Sequence, residues 1–105
     1  MARETTTTLN KVSVTLLEVK FGLTGCSSLK EKRSRLKPVL FRIHKEYNVS
    51  VAETGLHDVW QSAWITCALV SNDPQFNSRL ANEILRKIET LYPDLLIDEY
   101  HIEYR

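Results

Sequence analysis

At 105 residues, with 43% hydrophobic and 26% charged side chains, the sequence fits one globular domain with a single core, large enough to fold without a metal or disulfide staple. The balance of 14 Lys and Arg against 13 Asp and Glu gives a formal net charge of +1, which excludes the globally basic character of many nucleic-acid binders. No run approaches the roughly 18 apolar residues needed to cross a bilayer, and the N-terminal stretch lacks a signal-like apolar region, so no membrane partner is expected and the expected location is cytoplasmic.

Residues 1–9, with threonines from Thr5 to Thr8, read as a flexible tail before a single domain over 10–105. Lys11 to Phe21 reads as a strand, because Val12, Val14 and Leu16 occupy one parity and Leu17, Val19 and Phe21 the other. "GLTG", Gly22 to Gly25, lacks the lysine of a phosphate-binding loop and reads as a turn. Ser28-Leu29-Lys30-Glu31 matches a capping box, so a helix should start there, with Leu29, Leu36, Leu40, Ile43 and Tyr47 in one apolar stripe. Pro38 falls on the opposite, wet side, where a bend is expected rather than a break.

Asn48 to Thr54 and Trp60 to Ser71 read as two strands joined by the short "GLHD" connection. Asp73-Pro74 supplies an N-cap and first-turn proline for a second helix, with Phe76, Leu80, Ile84, Ile88 and Leu91 on one face until Pro93. Leu95 to Tyr104 closes the order as a strand of mixed parity. This β-α-β-β-α-β order predicts an α+β, ferredoxin-like fold: a four-stranded antiparallel sheet with two helices on one face and the other face open.

Four stretches in this order, "SLKEKR" (Ser28 to Arg33), "NVSVAE" (Asn48 to Glu53), "DVWQ" (Asp58 to Gln61) and "VSND" (Val70 to Asp73), resemble the YlxP-like family of small uncharacterised bacterial proteins. The resemblance covers nearly the whole chain from about Lys11 and implies a ferredoxin-like fold, in agreement with the periodicity. It brings no established activity. Members are often encoded beside translation and ribosome-maturation factors, which implies a ribosome- or RNA-linked role.

Charge is unevenly distributed. Between Ser28 and Lys45, Lys30, Lys32, Arg33, Arg35, Lys37, Arg42 and Lys45 face only Glu31, whereas the segment from Asp94 is acidic. Lysines and arginines on a surface helix are first of all helix formers and solvating groups. The sharper reading makes Lys30, Lys32, Arg33, Arg35, Lys37 and Arg42 the candidate nucleic-acid contacts, displacing counterions from an RNA backbone, with Phe41 among them to stack on a base. No DNA-specific signal accompanies them.

Trp60 and Trp64 share a parity opposite to Ala63, Ile65, Cys67 and Leu69, which places them on the open face as candidate interface residues, with Tyr100 and Tyr104 beside them. A homodimer formed through this face is the expected assembly. Sequence-specific RNA readout by the sheet is disfavoured, since the motif of RNA-recognition domains is absent. His44, His57 and His101 are scattered, and Cys26 and Cys67 have neither metal-ligand nor redox spacing. Hence neither catalytic residues nor metal ligands are assigned, no cofactor is expected, and the chain reads as a binding protein and not an enzyme. The alternatives are a protein-interaction module acting through the aromatic face, and a small-molecule or catalytic domain using the loops around Cys26 and His57. Asp58 and Gln61 read as structural, and Glu53 as a partner for a helix base such as Arg33.

Overall fold

The computed structural model describes residues 2–4 and 11–105; of the expected tail, residues 1 and 5–9 lie outside the described residues. Strand β1 (Ser13–Leu23) leads to helix α1 (Leu29–Glu46), then to β2 (Ser50–Gly55) and β3 (Ser62–Ser71). Helix α2 (Pro74–Leu91) and strand β4 (Leu95–Tyr104) complete the order. The strands form one antiparallel sheet, β2-β3-β1-β4, which leaves β2 and β4 at its edges. This is the ferredoxin-like arrangement that the hydrophobic periods predict.

The core follows from strict alternation. In β1, Leu17, Val19, Phe21 and Leu23 are buried beneath the helices, and the β3 residues Ala63, Ile65, Cys67 and Leu69 lie on the same side. Their neighbours Val14, Leu16, Glu18 and Lys20 line the opposite side of β1. Burial raises the Cys67 thiol to about 12, which makes it a small packed side chain and not a nucleophile.

Helix α1 starts where the capping box places it: Ser28 Oγ accepts from the Glu31 amide at 3.0 Å. The reciprocal arm reaches one residue further back than the motif prescribes, because the Glu31 carboxylate accepts from the Ser27 amide at 2.6 Å. That bond is the main cause holding the Glu31 carboxyl below its ordinary 4.5. The helix continues through Pro38, which is exposed, so its missing N–H lies on the solvent side. Asp73 and Pro74 start α2 as expected, with the Asp73 carboxylate accepting from the Gln75 amide at 2.9 Å.

Both helices turn a slightly different face to the sheet than their largest apolar residues suggest. In α1 the buried side chains are Lys32, Leu36, Val39 and Ile43, flanked by Leu40 and Tyr47. In α2 they are Asn77, Ala81, Ile84, Leu85 and Ile88, whereas Phe76 and Leu91 are exposed. The spacing i, i+4, i+7, i+11 from position 32 follows the buried arc, but a lysine at its head hides it from a count of apolar residues.

Two irregularities shape the edges. The pairing of β4 with β1 shifts between Lys20 and Phe21, which leaves Asp98 as an extra residue in β4. Leu95 and Ile97 before it, and Tyr100, Ile102 and Tyr104 after it, therefore all lie opposite inward-facing β1 residues. A similar shift between Glu53 and Gly55 leaves Thr54 extra in β2. Here Gly55 eases a close approach: a Cβ would come within 3.3 Å of Trp64 Cβ. Among the described residues, no helix is long and apolar enough to cross a membrane.

Candidate functional site

Of the bases on α1, the residue that departs furthest from a surface role is Lys32. It is 1% exposed, and its ammonium donates to the Leu56 carbonyl at 2.6 Å while lying 2.9 Å from Glu53 Oε2. Leu56 adopts a left-handed backbone conformation (φ 58°), uncommon for a side chain with a Cβ, and its carbonyl also accepts from the Val59 amide at 3.0 Å. Lys32 thus clamps the edge strand and the β2–β3 connection onto α1. It is withdrawn from the phosphate-contacting set, and it takes the place beside Glu53 that the sequence reading gave to Arg33.

Arg35 and Arg42 are also committed to the protein. The Arg35 guanidinium donates to the carbonyls of Thr24 and Asp94 at 2.9 and 3.2 Å, tying α1 to two loops. Arg42 donates to the Tyr92 hydroxyl at 3.0 Å and to Glu46 at 2.7 Å. Both lie on the flank of α1 that faces the turn after α2. Glu46 is an i, i+4 neighbour of Arg42 and Thr24 lies in the loop just before α1, but the Asp94 and Tyr92 acceptors are 59 and 50 residues further along the chain, where spacing gives no sign of them.

The remaining bases converge. Positions 30, 33, 37, 41, 44 and 45 fall within one arc of about 120° at about 100° per residue, and carry Lys30, Arg33, Lys37, Phe41, His44 and Lys45. No acid interrupts the arc, and both acids of α1, Glu31 and Glu46, lie outside it. Phe41 is 65% exposed, with Lys45 Nζ 5.8 Å from its ring centroid, a cation–π approach that holds the ring among the charges.

One side of this arc borders a groove of about 560 Å³ between α1 and edge strand β2. Leu36, Leu40 and Val51 form an apolar floor, and Phe41 stands at its margin. Arg33 and Lys37 supply a cationic rim, with His44 beside them. Glu53 also lines the groove, its charge offset from beneath by Lys32.

The open sheet face differs from the aromatic patch expected. Trp64 does lie there, opposite Lys20, and its ring stacks on His101 at a centroid distance of 6.1 Å. Trp60 lies before β3, exposed in the β2–β3 connection, so strand parity does not apply to it. Tyr100 and Tyr104 pair with Val19 and Thr15, which puts them on the helix side of the sheet, at the β4 edge. The extra residue at Asp98 reverses their facing. What the open face presents instead is an apolar cluster in which Val14 opposes Val70 and Leu16 opposes Ala68.

Cys26 and His57 are not drawn into a common arrangement. The Cys26 thiol donates to the Ser28 carbonyl at 3.4 Å, whereas His57 Nε2 lies 3.3 Å from the Glu53 carbonyl. Gln61 supports the strand end through its backbone, its carbonyl accepting from the Leu23 amide at 2.8 Å. Among the described residues, no group of three or more His, Cys, Asp or Glu side chains is placed to hold a metal ion.

Fold and groove together define a small ferredoxin-like α+β domain with a cationic, apolar-floored cleft beside one sheet edge. The chain belongs to the family described as Protein of unknown function (DUF503), whose profile matches residues 14–101. It is 35% identical to the Uncharacterized protein YlxP of Bacillus subtilis (strain 168) over 68 residues, which cover 65% of this chain and 73% of that protein. The YlxP-like resemblance carried by the four sequence stretches is therefore a family relationship. Among solved structures, the de novo designed protein Foldit4 superposes with a TM-score of 0.53 at 18% identity, covering 90% of this chain and 96% of that one, a likeness of fold alone.

Proposed function

We propose that the protein is a cytoplasmic, non-catalytic RNA-binding protein, acting on a ribosomal or other structured RNA through the outer arc of α1. One observation carries this reading: Lys30, Arg33, Lys37 and Lys45 share an acid-free arc with an exposed Phe41, after Lys32, Arg35 and Arg42 are assigned to internal contacts. A row of cations on a rigid helix releases counterions from a phosphate backbone, and its contribution falls steeply with salt. The test is retention on structured RNA over a salt series, comparing the parent chain with Lys30→Glu/Arg33→Glu/Lys37→Glu. Affinity should fall by about tenfold or more in the variant, with a shallower dependence on log salt. Equal, salt-insensitive retention of both proteins would dispose of the reading.

A second reading, self-association through the open sheet face, is supported by the Val14, Leu16, Ala68 and Val70 cluster, in which Val70 is 63% exposed. Light scattering at micromolar concentration should give a dimer that Val70→Lys converts to monomer. A parent protein that scatters as a monomer argues against it.

A further inference from the structure

Resting on the RNA reading, we infer that the groove between α1 and β2 takes one nucleotide of a single-stranded RNA segment, with a preference for a base that carries an exocyclic amine. The groove volume of about 560 Å³ lies in the ordinary range for small-ligand sites. Its floor of Leu36, Leu40 and Val51 offers an apolar surface to a base, and Phe41 at the margin offers a ring face for stacking. Arg33 and Lys37 stand one helical turn apart on the rim, at roughly 6 Å, a separation on the scale of successive phosphates in an extended strand.

Glu53 selects the occupant. It lines the groove with its side chain 22% exposed, and the Lys32 ammonium 2.9 Å from Oε2 offsets its charge, which lowers the repulsion that an anion would meet. A carboxylate is acceptor-only, which matches the amino group of cytosine, adenine or guanine and offers nothing to the O4 of uracil. An acidic peptide, the other anionic occupant that an open edge strand invites, is disfavoured because its carboxylate side chains bring only acceptors to Glu53, which has no hydrogen to donate. Duplex RNA is also disfavoured, since its paired bases cannot enter a groove.

The test is fluorescence anisotropy with labelled oligoribonucleotides: oligo(C), oligo(A), oligo(U) and a duplex, with a peptide of alternating Glu and Val as competitor. Oligo(C) and oligo(A) should bind about tenfold more tightly than oligo(U), and Phe41→Ala, at an exposed position, should weaken them about tenfold through lost stacking. Glu53→Gln should narrow the difference between oligo(C) and oligo(U). Should that variant fail to fold, the base preference of the parent chain and the Phe41→Ala effect still decide. Equal binding of all three homopolymers, undiminished binding by Phe41→Ala, or a duplex held as tightly as single strands overturns the groove assignment and leaves the basic arc standing. Binding of the acidic peptide with no retention of any RNA overturns both.

Discussion

The Lys32 ammonium lies 2.9 Å from Glu53 Oε2, with the lysine side chain 2% exposed and the glutamate 22%. Their attraction acts across the junction of α1 and β2 and is reinforced by the Leu56 carbonyl. Removing one partner strands the other's charge, which is costlier than removing both. Lys32→Met should therefore lower unfolding stability by about 3 kcal/mol, the lower end of the range for buried pairs because Glu53 retains some solvent. Lys32→Met/Glu53→Leu should recover at least half of the loss, as read from urea midpoints. A double variant no better than the single one would show that Lys32 acts through Leu56 instead.

Acid should weaken the start of α1. The Ser27 amide is the chief cause holding the Glu31 carboxyl below its ordinary 4.5, so the unfolded chain binds more protons at this site than the native one. The resulting stabilisation is present above the ordinary value and is lost as pH falls through the depressed native value. Glu31→Gln should melt below the parent protein at neutral pH and coincide with it in strong acid. A melting difference that does not change with pH would reassign the effect to packing.

Helix α1 runs on through Pro38 at an exposed position, and the hydrogen bond that its ring nitrogen cannot donate leaves a gap in the helical ladder. Pro38→Ala should restore the helical ladder and raise stability by about 1–3 kcal/mol. Thermal or urea unfolding checks this, and a loss of stability would mean that the helix needs the proline to follow the sheet.

Cys67 is fully buried and its thiol is raised to about 12, so it should resist a thiol-specific reagent at mildly alkaline pH in the native protein. Labelling should proceed only at the rate of global opening, following the denaturant dependence of unfolding. Rapid labelling of native protein would contradict the packing of β3 against the helices.

The fold was legible because four of its elements carry their own period or punctuation: alternation in β1 and β3, the serine cap of α1, and Asp73-Pro74 before α2. The site was legible as a basic helix but not in its composition. Lys32 sits in phase with Leu36 and Ile43, yet a lysine reads as surface until a carboxylate from edge strand β2 is placed beside it. Arg35 and Arg42 are engaged in part by Asp94 and Tyr92, acceptors that only the tertiary fold brings near. The groove itself needed Val51 and Glu53 beside α1, a neighbourhood set by sheet order and not by local spacing.

The one-residue insertion at Asp98 acts as a phase shifter for the far half of β4. Excising it would carry Glu99, His101 and Glu103 toward the helical layer and swing Tyr100, Ile102 and Tyr104 to the underside, uncoupling the Trp64–His101 stack at the same stroke. A single codon thus governs which chemistry the acidic rim of the molecule shows to each hemisphere.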